Sequence, residues 1–355
     1  MTALATRVRA RALRWLEGRL LGPWQPWLAR LVRRMAETGA GTDACLAEGC
    51  LPLRVHFYSP VPDVADLERR GVFERRSALP GVELDLPGQL ARLARLGERH
   101  GAECAWPSAP TGDPRTFYTQ NGAFSFGCAA ALHAMVRDLR PRRVVEVGSG
   151  NSSLVLAAAL RRNADEDGRA ADYTIVDPHP GEAVKAGLPG VSRLVPERVE
   201  LLEPDFFGGL GEGDVLFVDS GHVVKTGGDV NFLVLDVLPR LAPGVVVHFH
   251  DVPMPYEYPA VYFRNPAFRV FWTESYLLQA FLAFNREFEV LLALEALMRD
   301  HADAFRRAFP AWQPEVHQFV SSSFWLRRRP ATARAADGGG GGAGVASSAS
   351  GGRTA

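Results

Sequence analysis

The chain has 355 residues, 47% hydrophobic and 23% charged, which excludes a wholly disordered chain and fits about two domains, or one large α/β domain with additions. Forty basic residues balance forty acidic ones, so the global electrostatic argument for a nucleic-acid binder is absent. Only Lys185 and Lys225 among the basic residues are lysines; the rest are arginine.

Residues 1–50 read as an arginine-rich helical extension. Its first 36 residues hold Arg7, Arg9, Arg11, Arg14, Arg19, Arg30, Arg33 and Arg34 against the single acid Glu17, interleaved with Leu13, Trp15, Leu20, Trp24 and Trp27. An interfacial membrane helix or a targeting peptide has this composition. So has a surface helix that packs its Leu/Trp side on the body of the protein, which is the reading we favour at this level. Residues 51–125 are rich in Pro and Gly and form an irregular lead-in, with one helical stretch near Gln89–Leu96.

From residue 126 to 328 the apolar periods alternate. Leu132, Met135, Val136 and Leu139 share a helical face, and the run Val144–Val147 stops at glycine. A helix over Ser152–Arg162 and a strand Tyr173–Val176 ending in Asp177 follow. Further strands are expected around Val199–Leu202, at Val215–Val218 ending in Asp219, and at Val245–Phe249 ending in His250 and Asp251. A helix carries Val230, Val234, Val237, Leu238 and Leu241; another carries Tyr276, Leu277, Ala280, Phe281 and Phe284. Phe288–Leu292 and Gln318–Trp325 read as closing strands. Strands alternating with helices predict an α/β fold, a doubly wound, mostly parallel sheet with helices on both faces. Residues 329–355 end in a Gly/Ala/Ser-rich tail too poor in apolar side chains to offset its ordering entropy.

Four cysteines, Cys45, Cys50, Cys104 and Cys128, form no CxxC pair and no zinc spacing, which points to a reducing, cytoplasmic compartment. No apolar run reaches about 18 residues, so no membrane-spanning helix is expected.

Chemistry concentrates where strands meet helices. Glu146-Val-Gly148-Ser149-Gly150-Asn151-Ser152-Ser153 lies between a strand and a helix; its glycines allow close backbone approach to a ligand, and the helix start offers free N–H donors. Asp177 closes the next strand, where a carboxylate can accept from both hydroxyls of a ribose. Asp219-Ser220-Gly221-His222, followed by Lys225, and His248-Phe249-His250-Asp251 end two strands expected to be neighbours. Asp219, His250 and Asp251 would then converge as a site for Mg²⁺, Mn²⁺ or Fe²⁺, with Asp219, His222 and Lys225 as the catalytic candidates. Val224-Lys225-Thr226 lacks the glycine of a P-loop, and no G-x-S-x-G elbow or H-E-x-x-H helix is present.

The E-x-G-x-G arrangement at Glu146, Gly148 and Gly150 resembles the first motif of class I S-adenosylmethionine-dependent methyltransferases, with Ser152 where the pattern usually ends in glycine. With TIVDPHP, the stretch from Asp214 to Asp251, TESYLLQAFLAFN and SSSFWLRR, residues 51 to 328 resemble a bacterial group related to small-molecule and sugar O-methyltransferases. The resemblance implies a Rossmann-like seven-stranded sheet and S-adenosylmethionine held by Glu146, Gly148, Ser149, Gly150, Asn151, Ser152 and Asp177. It also implies a small-molecule acceptor. Related metal-dependent members carry acids at positions matching Asp219 and Asp251, and several carry another acid where this chain has His250. Two other classes fit the topology: an NAD(P)-dependent oxidoreductase, against which the missing G-x-G-x-x-G counts, and a non-catalytic binding module.

Overall fold

The computed structural model describes residues 22–266, 268–317 and 321–330. The arginines of positions 7–19 and the Gly/Ala/Ser-rich tail beyond 330 lie outside the described residues. The chain divides into two compact units, residues 1–72 with 263–271, and residues 73–262 with 272–355.

The first unit contains α1 (Gln25–Thr38), α2 (Thr42–Ala47) and α3 (Val64–Arg69). Helix α1 has Pro26 in its opening turn, where a missing N–H costs nothing, and stops at Gly39, whose left-handed φ of 72° lets its N–H reach the Met35 carbonyl. None of the three helices has a buried residue. Asp63 caps α3 by accepting from the Asp66 N–H at 3.1 Å.

The second unit begins before the boundary expected at residue 126, because α4 (Leu86–His100), inside the expected lead-in, packs on α5 (Phe126–Leu139). The Ser125 hydroxyl caps α5, accepting from the Cys128 N–H. Then follow β1 (Arg143–Val147), α6 (Asn151–Asp167), β2 (Asp172–Val176), α7 (Glu182–Lys185), β3 (Arg193–Val195) and β4 (Val215–Val218). After α8 (Asp229–Asn231) the helix continues as a π-helical segment, Phe232–Val237, and a 3-10 turn, Leu238–Arg240. The chain finishes with β5 (Val246–Phe249), α9 (Glu274–Leu282), β6 (Phe288–Ala293), α10 (Leu294–Asp300), α11 (Ala302–Ala308) and β7 (Phe324–Arg328).

The seven strands form one sheet in the order β3-β2-β1-β4-β5-β7-β6, parallel from β3 through β5, with β7 antiparallel to both its neighbours. Side chains alternate between two cores. Val144, Tyr173, Phe217 and Val246 pack under α4, α5, α6, α10 and α11; Val145, Val176, Leu216 and Val247 pack under the 229–240 helix and α9. Both faces are covered, which is why the strands read as continuous apolar runs.

One expected strand is corrected. Val199–Leu201 is a 3-10 turn, and the strand beside β2 is Arg193–Val195. Pro196 ends that strand, since it has no N–H for the ladder. The last strand is Phe324–Arg328 rather than Gln318–Trp325; residues 318–320 of the expected span lie outside the described residues. Among the described residues no helix is long and apolar enough to cross a membrane.

Candidate active site at the carboxyl edge of the sheet

Register places the motifs. Val147 pairs with Val176 and with Val218, and Val218 pairs with Phe249. The next residue of each strand, Gly148, Asp177, Asp219 and His250, therefore leaves the sheet in one row. Backbone bonds lock that row: Gly148 N–H to the Val176 carbonyl (3.0 Å), Asp219 N–H to Val147 (2.9 Å) and His250 N–H to Val218 (2.8 Å). The strand order reverses between β1 and β4, the switch point where open α/β sheets bind ligands.

A cavity of about 510 Å³ opens there, lined among others by Gly148, Ser149, Asp177, Arg198, Asp219 and Lys225. Gly148 has φ of 80°, and a Cβ on it would stand 1.9 Å from the Asp219 carbonyl oxygen, so the turn between β1 and α6 requires glycine. Asp177 accepts from the Ser149 hydroxyl (2.5 Å) and the His179 N–H (2.7 Å), which fixes its carboxylate at the cavity wall. Gly150 N–H donates to the Ser153 hydroxyl at 3.1 Å, and Asn151 opens α6.

Glu146 is one residue out of phase with Val145 and Val147, so it points into the core beneath α5 and α6 and is fully buried. It accepts from the Ser152 hydroxyl at 2.7 Å and from the Tyr173 hydroxyl. Burial pushes its pKa up to about 7, although Tyr173 and Ser152 favour the ionised form. Glu146 and Ser152 thus bond each other under the turn. His248 likewise faces inward, stacked on Phe217 with ring centroids 4.2 Å apart and bonded to the Ser323 hydroxyl at 2.9 Å.

Asp219, which lines the cavity, also meets three other groups. His222 Nε2 lies 3.2 Å from Asp219 Oδ1 and 3.8 Å from Asp251 Oδ2. His250 Nδ1 lies 3.3 Å from each of the same two oxygens. Asp219, His222 and Asp251 offer ligand atoms within 4.8 Å of one another, so the ligand group contains His222, which sequence alone suggested only as a base, in place of the expected His250, which lies beside the same two carboxylates. His222 and Asp251 both sit at φ of 56°, a strained conformation for non-glycine residues.

Charge holds this group together. Burial acts against ionisation at every member. Against it, Asp219 and Glu274 keep the His222 pKa at about 10, and Asp251 and Asp219 hold His250 well above the usual imidazole range. The two imidazoles in turn depress Asp219 and Asp251 below the usual carboxylate range despite burial.

Sequence reasoning missed Glu274. Fully buried at the start of α9, it meets His222 Nδ1 at 2.9 Å, while the N–H groups of Thr273 and Glu274 donate to the His222 carbonyl. Phe124 also went unnoticed, its ring 4.9 Å from that of His250, as did Trp272, 4.5 Å from the ring of His222. The only signal for Glu274 was an acid in the TESYLL stretch, 52 residues from its partner.

Residues 145–252 match the family described as a methyltransferase domain. That match supports a methyltransferase domain over this stretch of the chain. An uncharacterized protein of Archaeoglobus fulgidus is 29% identical to it over 164 residues, 44% of this chain and 72% of that relative. Among solved structures, the ligand-free CmcI-N160 is 17% identical, covering 60% of this chain and 77% of that chain with a TM-score of 0.33. A proposed methyltransferase of Thermobifida fusca is 15% identical, with 58% and 79% covered and a TM-score of 0.32.

Proposed function

We propose that this methyltransferase moves a methyl group from S-adenosylmethionine to a hydroxyl of a small molecule or sugar, with a divalent ion at Asp219, Asp251 and the imidazoles of His222 and His250. The supporting observation is that Asp219 is shared: it lines the glycine-turn cavity and anchors the acid–imidazole group. Cofactor and acceptor chemistry would thus meet at one residue.

The residues present suit both groups. Gly148 leaves its backbone bare at the cavity wall, a Cβ on Gly150 would meet nothing within 4 Å, and α6 begins there with N–H groups of positive partial charge. Two carboxylates and imidazole nitrogen suit Mg²⁺ or Mn²⁺. Bound there, S-adenosylmethionine supplies an electrophilic methyl group, and the ion supplies charge that lowers the proton affinity of the acceptor hydroxyl. Asp177 binds the ribose hydroxyls, and the turn from Gly148 to Ser152 orients the rest of the cofactor. Glu146 supports that turn from below through Ser152. Glu274 holds the His222 ring through Nδ1 so that Nε2 faces the two aspartates, where the neutral ring would join them as a ligand to the ion. Lys225, at the same cavity wall, is the candidate proton acceptor. Four free cysteines accord with a cytoplasmic setting.

Calorimetric titration with S-adenosylmethionine, with and without Mn²⁺, followed by an acceptor screen, tests this reading. Saturable cofactor binding that nicotinamide dinucleotides do not displace is expected. Binding of NAD(P) in place of S-adenosylmethionine would transfer the fold to the oxidoreductase reading.

A further inference from the structure

Helix α1 carries an apolar face that is exposed among the described residues. Trp24, at its N-cap, and Trp27, Leu28, Leu31, Val32 and Met35 recur three and four residues apart, so they line one side. Trp24 is 61% exposed, Trp27 53%, Val32 49% and Leu31 40%. Two half-exposed indoles, one at the N-cap and one within the helix, and two branched aliphatics form an apolar strip along one side, and such a strip on a water-facing surface marks an interaction site.

Charge identifies the partner. Arg30, Arg33 and Arg34 belong to the same helix, and Glu37, paired with Arg33 at 2.8 Å, is its single acid. The preceding sequence adds Arg7, Arg9, Arg11, Arg14 and Arg19 against Glu17 alone, in a chain whose overall charge is balanced. A protein partner of matching apolar shape would not call for eight arginines in 36 residues; a negatively charged lipid surface does. Indoles sit by preference at the boundary between headgroup and acyl chain, and arginine stems lie along apolar surface while their guanidinium groups reach phosphate. We propose that the Trp24–Trp27–Leu31–Val32 face of α1 docks on an anionic lipid bilayer, lying in its surface rather than crossing it. Each arginine near such a surface raises affinity about fivefold, so charge and apolar face contribute separately and can be removed separately. The inference does not depend on the methyl-transfer reading.

The test is co-sedimentation of the full chain with vesicles of phosphatidylcholine alone and of phosphatidylcholine mixed with phosphatidylglycerol, with tryptophan fluorescence read in parallel. Binding to the mixed vesicles with a blue shift is expected, with at least tenfold weaker binding to the neutral ones. Trp24→Ser with Trp27→Ser should weaken binding at least tenfold and abolish the blue shift; Arg30→Gln, Arg33→Gln and Arg34→Gln together should weaken it at least tenfold. Circular dichroism melting should be unchanged in both variants, because none of these side chains is buried. Absence of vesicle binding, or binding that survives the tryptophan changes, overturns the proposal. So does a dimer in sedimentation velocity that the tryptophan variant dissociates, which would make a second copy of the chain the occupant.

Discussion

Glu146 makes the protein's stability depend on pH in a direction that can be worked out from its surroundings. Its pKa is raised from 4.5 to about 7 by burial, which at 1.36 kcal/mol per pKa unit corresponds to about 3 kcal/mol. Below pH 4.5 the carboxyl is neutral in both folded and unfolded chains, and the fold bears no penalty. As pH rises to about 7 the unfolded chain ionises first, and stability falls; above 7 the full loss is present. Glu146→Gln keeps the volume and leaves a group that the hydroxyls of Ser152 and Tyr173 can still bond, but it cannot ionise. The variant should match the parent at pH 4.5 and exceed it at pH 8 by about 3 kcal/mol, roughly 6–12 °C in melting temperature for a unit of this size. Tyr173→Phe removes a bond to the ionised form and should widen the loss at pH 8 by about 1 kcal/mol. Thermal unfolding followed by circular dichroism from pH 4.5 to 8 reads all three proteins. A difference between parent and Glu146→Gln that stays constant with pH would refute the reasoning, since it would mean that the buried carboxyl does not titrate in that window.

Other outcomes follow from the same edge of the sheet. Gly148→Ala places a Cβ 1.9 Å from the Asp219 carbonyl oxygen at a left-handed φ; a loss of about 2–4 kcal/mol in stability and of cofactor binding is expected, measured by denaturant unfolding and calorimetry. Asp177→Ala should weaken S-adenosylmethionine binding by about 1–3 kcal/mol while melting changes little, because the side chain's partners, the Ser149 hydroxyl and His179 N–H, can turn to solvent; unaltered affinity would remove Asp177 from the cofactor site. Asp251→Asn, nearly equal in volume, should lower Mn²⁺ affinity at least tenfold in a titration of the chelated protein, and an identical isotherm would exclude Asp251 as a ligand.

The order of apolar runs and their terminators made the α/β alternation legible, because a strand covered on both faces needs an unbroken apolar run and a strand-to-helix turn needs Gly or a short polar residue. Gly148, Asp177, Asp219 and Asp251 could be placed at strand ends for that reason alone, and the structure puts all four at one edge. Pro196 was an equally local signal, and it ends β3 where the expected strand had been drawn several residues later. The sequence did not disclose which side of the sheet each residue takes at the edge. Glu146 and His248 belong to chemically suggestive motifs, yet the two-residue period of β1 and β5 turns both into the core. Nor did it disclose contacts made across long separations: Glu274 reaches His222 because α9 lies beside the loop after β4, and β7 enters between β5 and β6 only through pairing with both. Local periodicity carries no information about such pairs, because their energy comes from burial and charge that exist only once the chain has closed on itself. The composition of the site's ends was thus written in the local sequence, whereas the choice of His222 and Glu274 to complete it was made by tertiary packing.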